Sequence, residues 1–197
     1  MTNPKPKPSR KEAILQSLVE ILETDPGARI TTAGLARAVG VTEAALYRHF
    51  PSKRKMFEAL IEFAEDTVFS RCQLILQEQE DVQVRLQQLV RLVLVFAERN
   101  PGLCRVLTGE ALSGENEALR RRAGQFFERL ETQIRQILKE GDLHQGLRPH
   151  PSATRGADWL MTFLEGRIQR FVRSGFSRLP SEAFDEQWPM LSRELWA

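Results

Sequence analysis

The stretch Ile30–Phe57, ITTAGLARAVGVTEAALYRHFPSKRKMF, decides the fold. Thr31 stands at an N-cap position, and Leu35, Ala36 and Val39 follow at the spacing of one buried helical face. Gly40 supplies the permissive backbone of a tight turn, and Thr42 can cap a second short helix with Ala45 and Leu46 facing inward. Pro51 stops that helix, and Ser52 caps the next, with Lys53, Arg54 and Lys55 on its opening turn. The helix dipole disfavours cations there, so phosphate contact explains them better than folding stability does. Two short capped helices around a tight turn predict a helix-turn-helix whose second member suits the major groove of duplex DNA. Thr42, Glu43, Ala44, Tyr47 and His49 fall on or beside that recognition helix. Thr42 is placed to reach a base edge or a phosphate, and Ala44 to meet a thymine methyl. Thr31, Thr32, Tyr47, His49 and Lys53 are expected to position the duplex backbone.

Around this element the chain divides by charge. Residues 1–60 hold ten Lys or Arg against six acids, whereas the rest holds eighteen against twenty, although the whole chain of 197 residues is only +2. A basic head on a slightly acidic body fits a reader of nucleic acid whose body does something else. The expected organisation is a disordered basic arm at 1–9, the helix-turn-helix domain at 10–54, and a helical dimerisation and partner-binding domain at 55–197. Lys5, Lys7, Arg10 and Lys11 make the arm a phosphate or minor-groove contact, or equally a solvated terminus. Cys72 and Cys104 are isolated, without metal-ligand spacing or need of pairing, and no apolar run has the length of a membrane span. The chain reads as cytoplasmic.

The periodicity is helical throughout, which predicts an all-α protein of about nine helices. Ile14, Leu18 and Leu22 stripe the first helix, ended by Asp25, Pro26 and Gly27. Phe57, Ile61, Ala64, Val68 and Cys72 stripe a longer one, with Phe63 off the stripe among acids as a packing contact or an exposed anchor. The run Leu92–Ala97 reads as a buried helix, Asn100-Pro101 as the capped start of a short one, and Leu119–Leu138 as a long amphipathic one. Gly141 to Pro151 reads as a loop, Ser152 to Ser174 as a further helix, and the last helix as interrupted near Pro189. The closing hairpin is apolar on more than one side, with Gly156, Ala157 and Gly166 small enough for close helix approach. That surplus predicts a two-fold homodimer through a four-helix bundle, with Trp159, Phe163, Gly166, Phe171 and Trp188 at the interface.

His49, His144 and His150 sit in no metal-ligand motif, and nucleophile elbow, P-loop and dinucleotide glycine fingerprint are missing. Glu110, Glu115 and Glu117 read as a solvated face. The expectation is no enzyme, no metal and no cofactor.

The three-helix head resembles the TetR family of bacterial regulators, whose head closes on a Tyr-x-x-Phe element and a lysine, here Tyr47, Phe50 and Lys53. ILQSL at Ile14–Leu18, ERNPGLCRVLTGEAL at Glu98–Leu112 and RFVRSGF at Arg170–Phe176 carry the likeness into the body. They point to the branch of that family that acts in nucleoid occlusion. The resemblance implies a homodimer on palindromic double-stranded DNA scattered over the nucleoid, engaging the tubulin-like division protein FtsZ and blocking Z-ring assembly. It also implies a partner surface that carries over as Phe63, Arg71, Leu92, Arg99 and Asn100, with departures from the pattern near Val95 and Ala97 lying in the buried run. A ligand-responsive TetR-type repressor with an effector pocket in the body is the main rival reading. A purely protein-binding adaptor would leave the basic arm and lysine-rich turn without purpose.

Overall fold

The computed structural model describes residues 9–25, 30–114 and 117–196. Among them lie nine α-helices and no strand: α1 (Arg10–Thr24), α2 (Thr32–Val39), α3 (Glu43–His49), α4 (Lys53–Glu78), α5 (Val82–Arg99), α6 (Pro101–Leu107), α7 (Glu117–Gln145), α8 (Ala153–Arg173) and α9 (Phe184–Arg193). The basic arm before Ser9, the Pro26-Gly27 stop and Glu115 lie outside the described residues.

Local chemistry sets most helix starts. Ser9 and Glu12 form a reciprocal capping box at α1. Thr31, Thr42 and Ser52 each accept a main-chain N–H three residues on, from Gly34 at 3.1 Å, Ala45 at 3.2 Å and Lys55 at 3.2 Å. Gly40 closes α2 at φ 70°, a left-handed conformation that glycine adopts without a Cβ penalty. Asn100 differs from the expected cap. Its side chain donates backward to the Phe96 oxygen at 2.7 Å and caps nothing in α6, whose start rests on Pro101.

The three head helices pack together, with α1 against α2 and α3, and α1 also lies along α6. The body is built from α4, α5, α7 and α8, with α7 against α8 as its most extensive pairing. One apolar cluster runs from Ile14, Leu18 and Leu22 through Phe57, Val68 and Phe126 to Leu160, Phe171 and Phe184. Head and body therefore share one core rather than meeting across a linker.

Two sequence expectations change. The stretch from Gly141 is helical through Gln145, so the loop begins at Gly146. Gly141 is not a breaker: a Cβ there would meet the Trp196 ring at 3.0 Å and Val82 at 3.1 Å. Gln145 holds the last turn by accepting from the Val82 N–H at 3.2 Å and donating to the Glu80 oxygen at 2.7 Å. Helix α9 likewise continues through Pro189 without a break.

Among the described residues the buried charge is Arg105. At 4% exposure it donates to the Leu22 oxygen at 2.6 Å, with Glu110 receiving its other face at 3.0 and 3.1 Å. Glu110 thus belongs to a head–body seam and not merely to a solvated face. Beside it Gly102 lies so close to α1 that a Cβ would come within 2.7 Å of the Val19 oxygen.

Candidate nucleic-acid interface and partner groove

The helix-turn-helix presents its polar side outward. Leu35, Ala36 and Leu46 are buried, while Thr31, Thr42, Glu43, Ala44, Tyr47 and His49 are exposed. Thr32 is half-buried because it works between the two helices. Its hydroxyl donates to Glu43 Oε2 at 3.0 Å and accepts from the Tyr47 hydroxyl at 3.5 Å. That pairing fixes the start of α2 against α3, so Glu43 and Tyr47 hold the two helices of the turn together. Thr42 keeps a hydroxyl hydrogen to donate outward while its oxygen holds the Ala45 N–H.

The basic turn is more internally paired than its sequence implies. Arg54 and Lys55 reach Glu58 at 2.6 and 2.7 Å, and these bonds, with Lys55 the larger cause, hold the Glu58 carboxyl below its usual range. Phosphate contact is therefore not needed to explain Arg54 and Lys55. Lys53 places its ammonium 5.6 Å from the Phe57 ring centre. Sequence reasoning passed over Arg48, which stands exposed on α3 between Tyr47 and His49 and has no hydrogen bond or ion pair to a described residue. Its position inside the recognition helix was the signal that could have found it.

A second feature lies between α4 and α5. A groove of about 490 Å³ is lined by Thr67, Arg71 and Ile75 on one side and by Leu92, Val95, Phe96, Arg99 and Asn100 on the other. Four of the five residues expected at the partner surface, Arg71, Leu92, Arg99 and Asn100, are thus brought together. Phe63 does not line the groove itself, but it lies one turn before Thr67 on the same face of α4 and is 52% exposed. Arg71 and Arg99 make no hydrogen bond or ion pair with described residues. The expectation that the run Leu92–Ala97 is uniformly buried is corrected: Ala97 is covered, whereas Leu92 and Val95 open onto the groove. A departure from the family pattern near Val95 therefore falls on the groove wall.

The residues expected at a dimer face separate into two groups. Trp159, Phe163 and Gly166 share the outer side of α8, exposed or half-buried, and a Cβ on Gly166 would meet nothing. Phe171 and Trp188 are instead covered within the chain, at 2% and 6% exposure: α8 turns the Phe171 side toward α5 and α7, and Trp188 sits on α9, which packs on α5, with its ring 5.5 Å from that of Phe184. Gly156 and Ala157 also serve internal packing, Gly156 against Leu138 and Leu195.

A capped helix-turn-helix set on a body of long packed helices defines the TetR class of regulators. The sequence pattern of the tetR family of bacterial regulatory proteins matches residues 14–60. That of the SlmA-like tetracyclin repressor-like C-terminal domain matches residues 80–196. The chain is 76% identical over 196 residues to the nucleoid occlusion factor SlmA of Marinobacter nauticus, covering 100% of both. It is 53% identical over 189 residues to that of a Marinomonas species, covering 96% of each. The chain belongs to the SlmA family of nucleoid occlusion factors within the TetR regulators. Among solved structures, the regulator FadR of Bacillus subtilis in complex with stearoyl-CoA superposes with a TM-score of 0.77 at 14% identity, over 91% of this chain and 96% of that one. PfmR of Thermus thermophilus gives 0.75 at 20% identity, over 96% and 98%. At those identities the two share the fold.

Proposed function

We propose that this chain is a DNA-bound nucleoid-occlusion factor, not an enzyme. Two copies, joined through the outer side of α8, place two α2–α3 heads on palindromic double-stranded DNA at dispersed chromosomal sites. The bound dimer engages FtsZ through the α4–α5 groove and prevents Z-ring assembly over the nucleoid. In this reading residues 10–54 form the DNA-binding domain and 55–197 the dimerisation and partner domain. Thr31, Thr32, Tyr47, His49, Lys53 and Arg48 meet the backbone, and Thr42, Glu43 and Ala44 face the bases. The protein works in the cytoplasm on the nucleoid; among the described residues no helix is long and apolar enough to cross a membrane.

The groove carries the reading. Two arginines with no partner among the described residues flank an apolar floor of Leu92, Val95 and Phe96, with an exposed aromatic one turn beyond. Such a surface suits a short, partly acidic and apolar tail, with the aromatic supplying buried area and the arginines orientation. The test titrates FtsZ against the protein preloaded on specific DNA. Phe63→Ala and Arg71→Asp are expected to keep DNA affinity and dimerisation while losing about thirtyfold or more in FtsZ affinity. No FtsZ binding by the wild type, with release from DNA by a small apolar molecule, would replace this reading by an effector-controlled repressor.

A further inference from the structure

The α4–α5 groove has a third arginine. Arg91 lines it beside Gln88 and Leu92, two helical turns from Arg99, a rise of about 12 Å along α5. Unlike Arg71 and Arg99, it is already engaged. Its guanidinium lies 5.1 Å from the centre of the Phe184 ring and pairs with the carboxylate of Asp185, both at the start of α9.

The two contacts differ in kind. Phe184 is buried, so its face is a fixed platform that holds the planar guanidinium in one orientation. Asp185 is 68% exposed and Arg91 43% exposed, and an ion pair so open to water holds weakly. The cation is therefore positioned firmly and neutralised loosely. A carboxylate arriving along the groove can take the place of Asp185 without moving Arg91 from its ring. The turn that leads into α9 would keep its own tie to α5, the hydrogen bond from the Ser181 hydroxyl to Glu98.

We infer that Arg91 is a further carboxylate-binding subsite of the groove, and that Asp185 fills it in the free chain as an internal stand-in for an acidic group of the partner. The inference rests on the groove being the partner site. It specifies the occupant further: in an extended segment, the acids read by Arg99 and Arg91 stand about four residues apart, at about 3.3 Å per residue. Asp185 then sets the affinity of the groove from outside it, by competing for one of its cations.

The experiment titrates FtsZ against DNA-loaded wild type, Asp185→Asn, Arg91→Ala, the double variant and Glu186→Gln. The last makes the same charge change in the same turn of α9 but forms no ion pair with an arginine among the described residues. Asp185→Asn is expected to bind about two- to fivefold more tightly, and Arg91→Ala about tenfold more weakly. In the Arg91→Ala background Asp185→Asn should change nothing, and thermal unfolding of every variant should stay close to wild type. Equal affinities for Asp185→Asn and Glu186→Gln would overturn the stand-in. Undiminished binding by Arg91→Ala would overturn the subsite while leaving the proposed function intact. Absence of binding by the wild type would instead remove the groove reading itself.

Discussion

The guanidinium of Arg105 on α6 donates to the main-chain oxygen of Leu22 at the end of α1, 2.6 Å away. Helix α1 ends with carbonyls that lack intrahelical partners, and a buried arginine supplies one of the missing donors. Since α6 starts directly after Asn100 of the groove, the DNA-reading head and the groove hang on one rigid connection.

That seam gives the first prediction. Arg105→Ala leaves the Leu22 oxygen buried without its donor and should cost about 1–3 kcal/mol. Glu110, 44% exposed, adds little to this loss. Gly102→Ala should cost a comparable amount, about 1–3 kcal/mol, because main chain rather than a flexible side-chain tip blocks the new methyl. Urea unfolding midpoints at constant slope measure both.

On DNA, Lys53→Ala and Arg48→Ala should weaken binding to specific and random duplex by similar factors, each lowering the salt slope by about one unit. Thr42 needs a more careful substitution because it is also a cap. Thr42→Ala loses about 1 kcal/mol of stability with the Ala45 bond, whereas Thr42→Ser keeps that bond. Thr42→Ala should therefore lose more on the specific site than on random duplex, and Thr42→Ser should recover most of both. Anisotropy titrations on the two duplexes at several salt concentrations decide it.

Assembly should separate the two aromatics of α8. Phe163→Glu places a charge on the outer side beside Arg167 and should yield folded monomers in sedimentation. Phe171 is core, in contact with Phe176 at 5.1 Å, so Phe171→Ala should cost about 3–5 kcal/mol and unfold the chain rather than dissociate it. Circular dichroism alongside sedimentation distinguishes the outcomes.

The cysteines should be inert in the native state. Burial pushes the Cys72 thiol up to about 11 and the Cys104 thiol to about 12. At pH 8 the thiolate of either is then about one part in a thousand or less. Alkylation followed by mass spectrometry should find both unmodified until denaturant is added. Rapid native labelling of either would contradict its burial.

The DNA-reading head was legible from sequence because its determinants are local. Thr31, Thr42 and Ser52 cap the helices they begin, and Gly40 takes the left-handed turn, since each makes its bond within three or four residues. The all-helical body was legible for a related reason: the stripe from Leu119 to Leu138 repeats at the helical period whatever it packs against.

What only the tertiary structure decided was which side of each helix meets another. Phe163 and Phe171 are equally apolar in sequence, yet one faces out and the other is core, because α7 and α5 approach α8 from one side only. Leu92 and Val95 sit in an unbroken apolar run, yet they open onto a groove because α4 brings Thr67, Arg71 and Ile75 alongside them. Arg105 resembles any solvated cation until Leu22, far away in the chain, is placed against it. Hydrophobic period fixes the phase of a helix surface, but burial belongs to the neighbour, and no residue carries within itself the position of a helix made elsewhere.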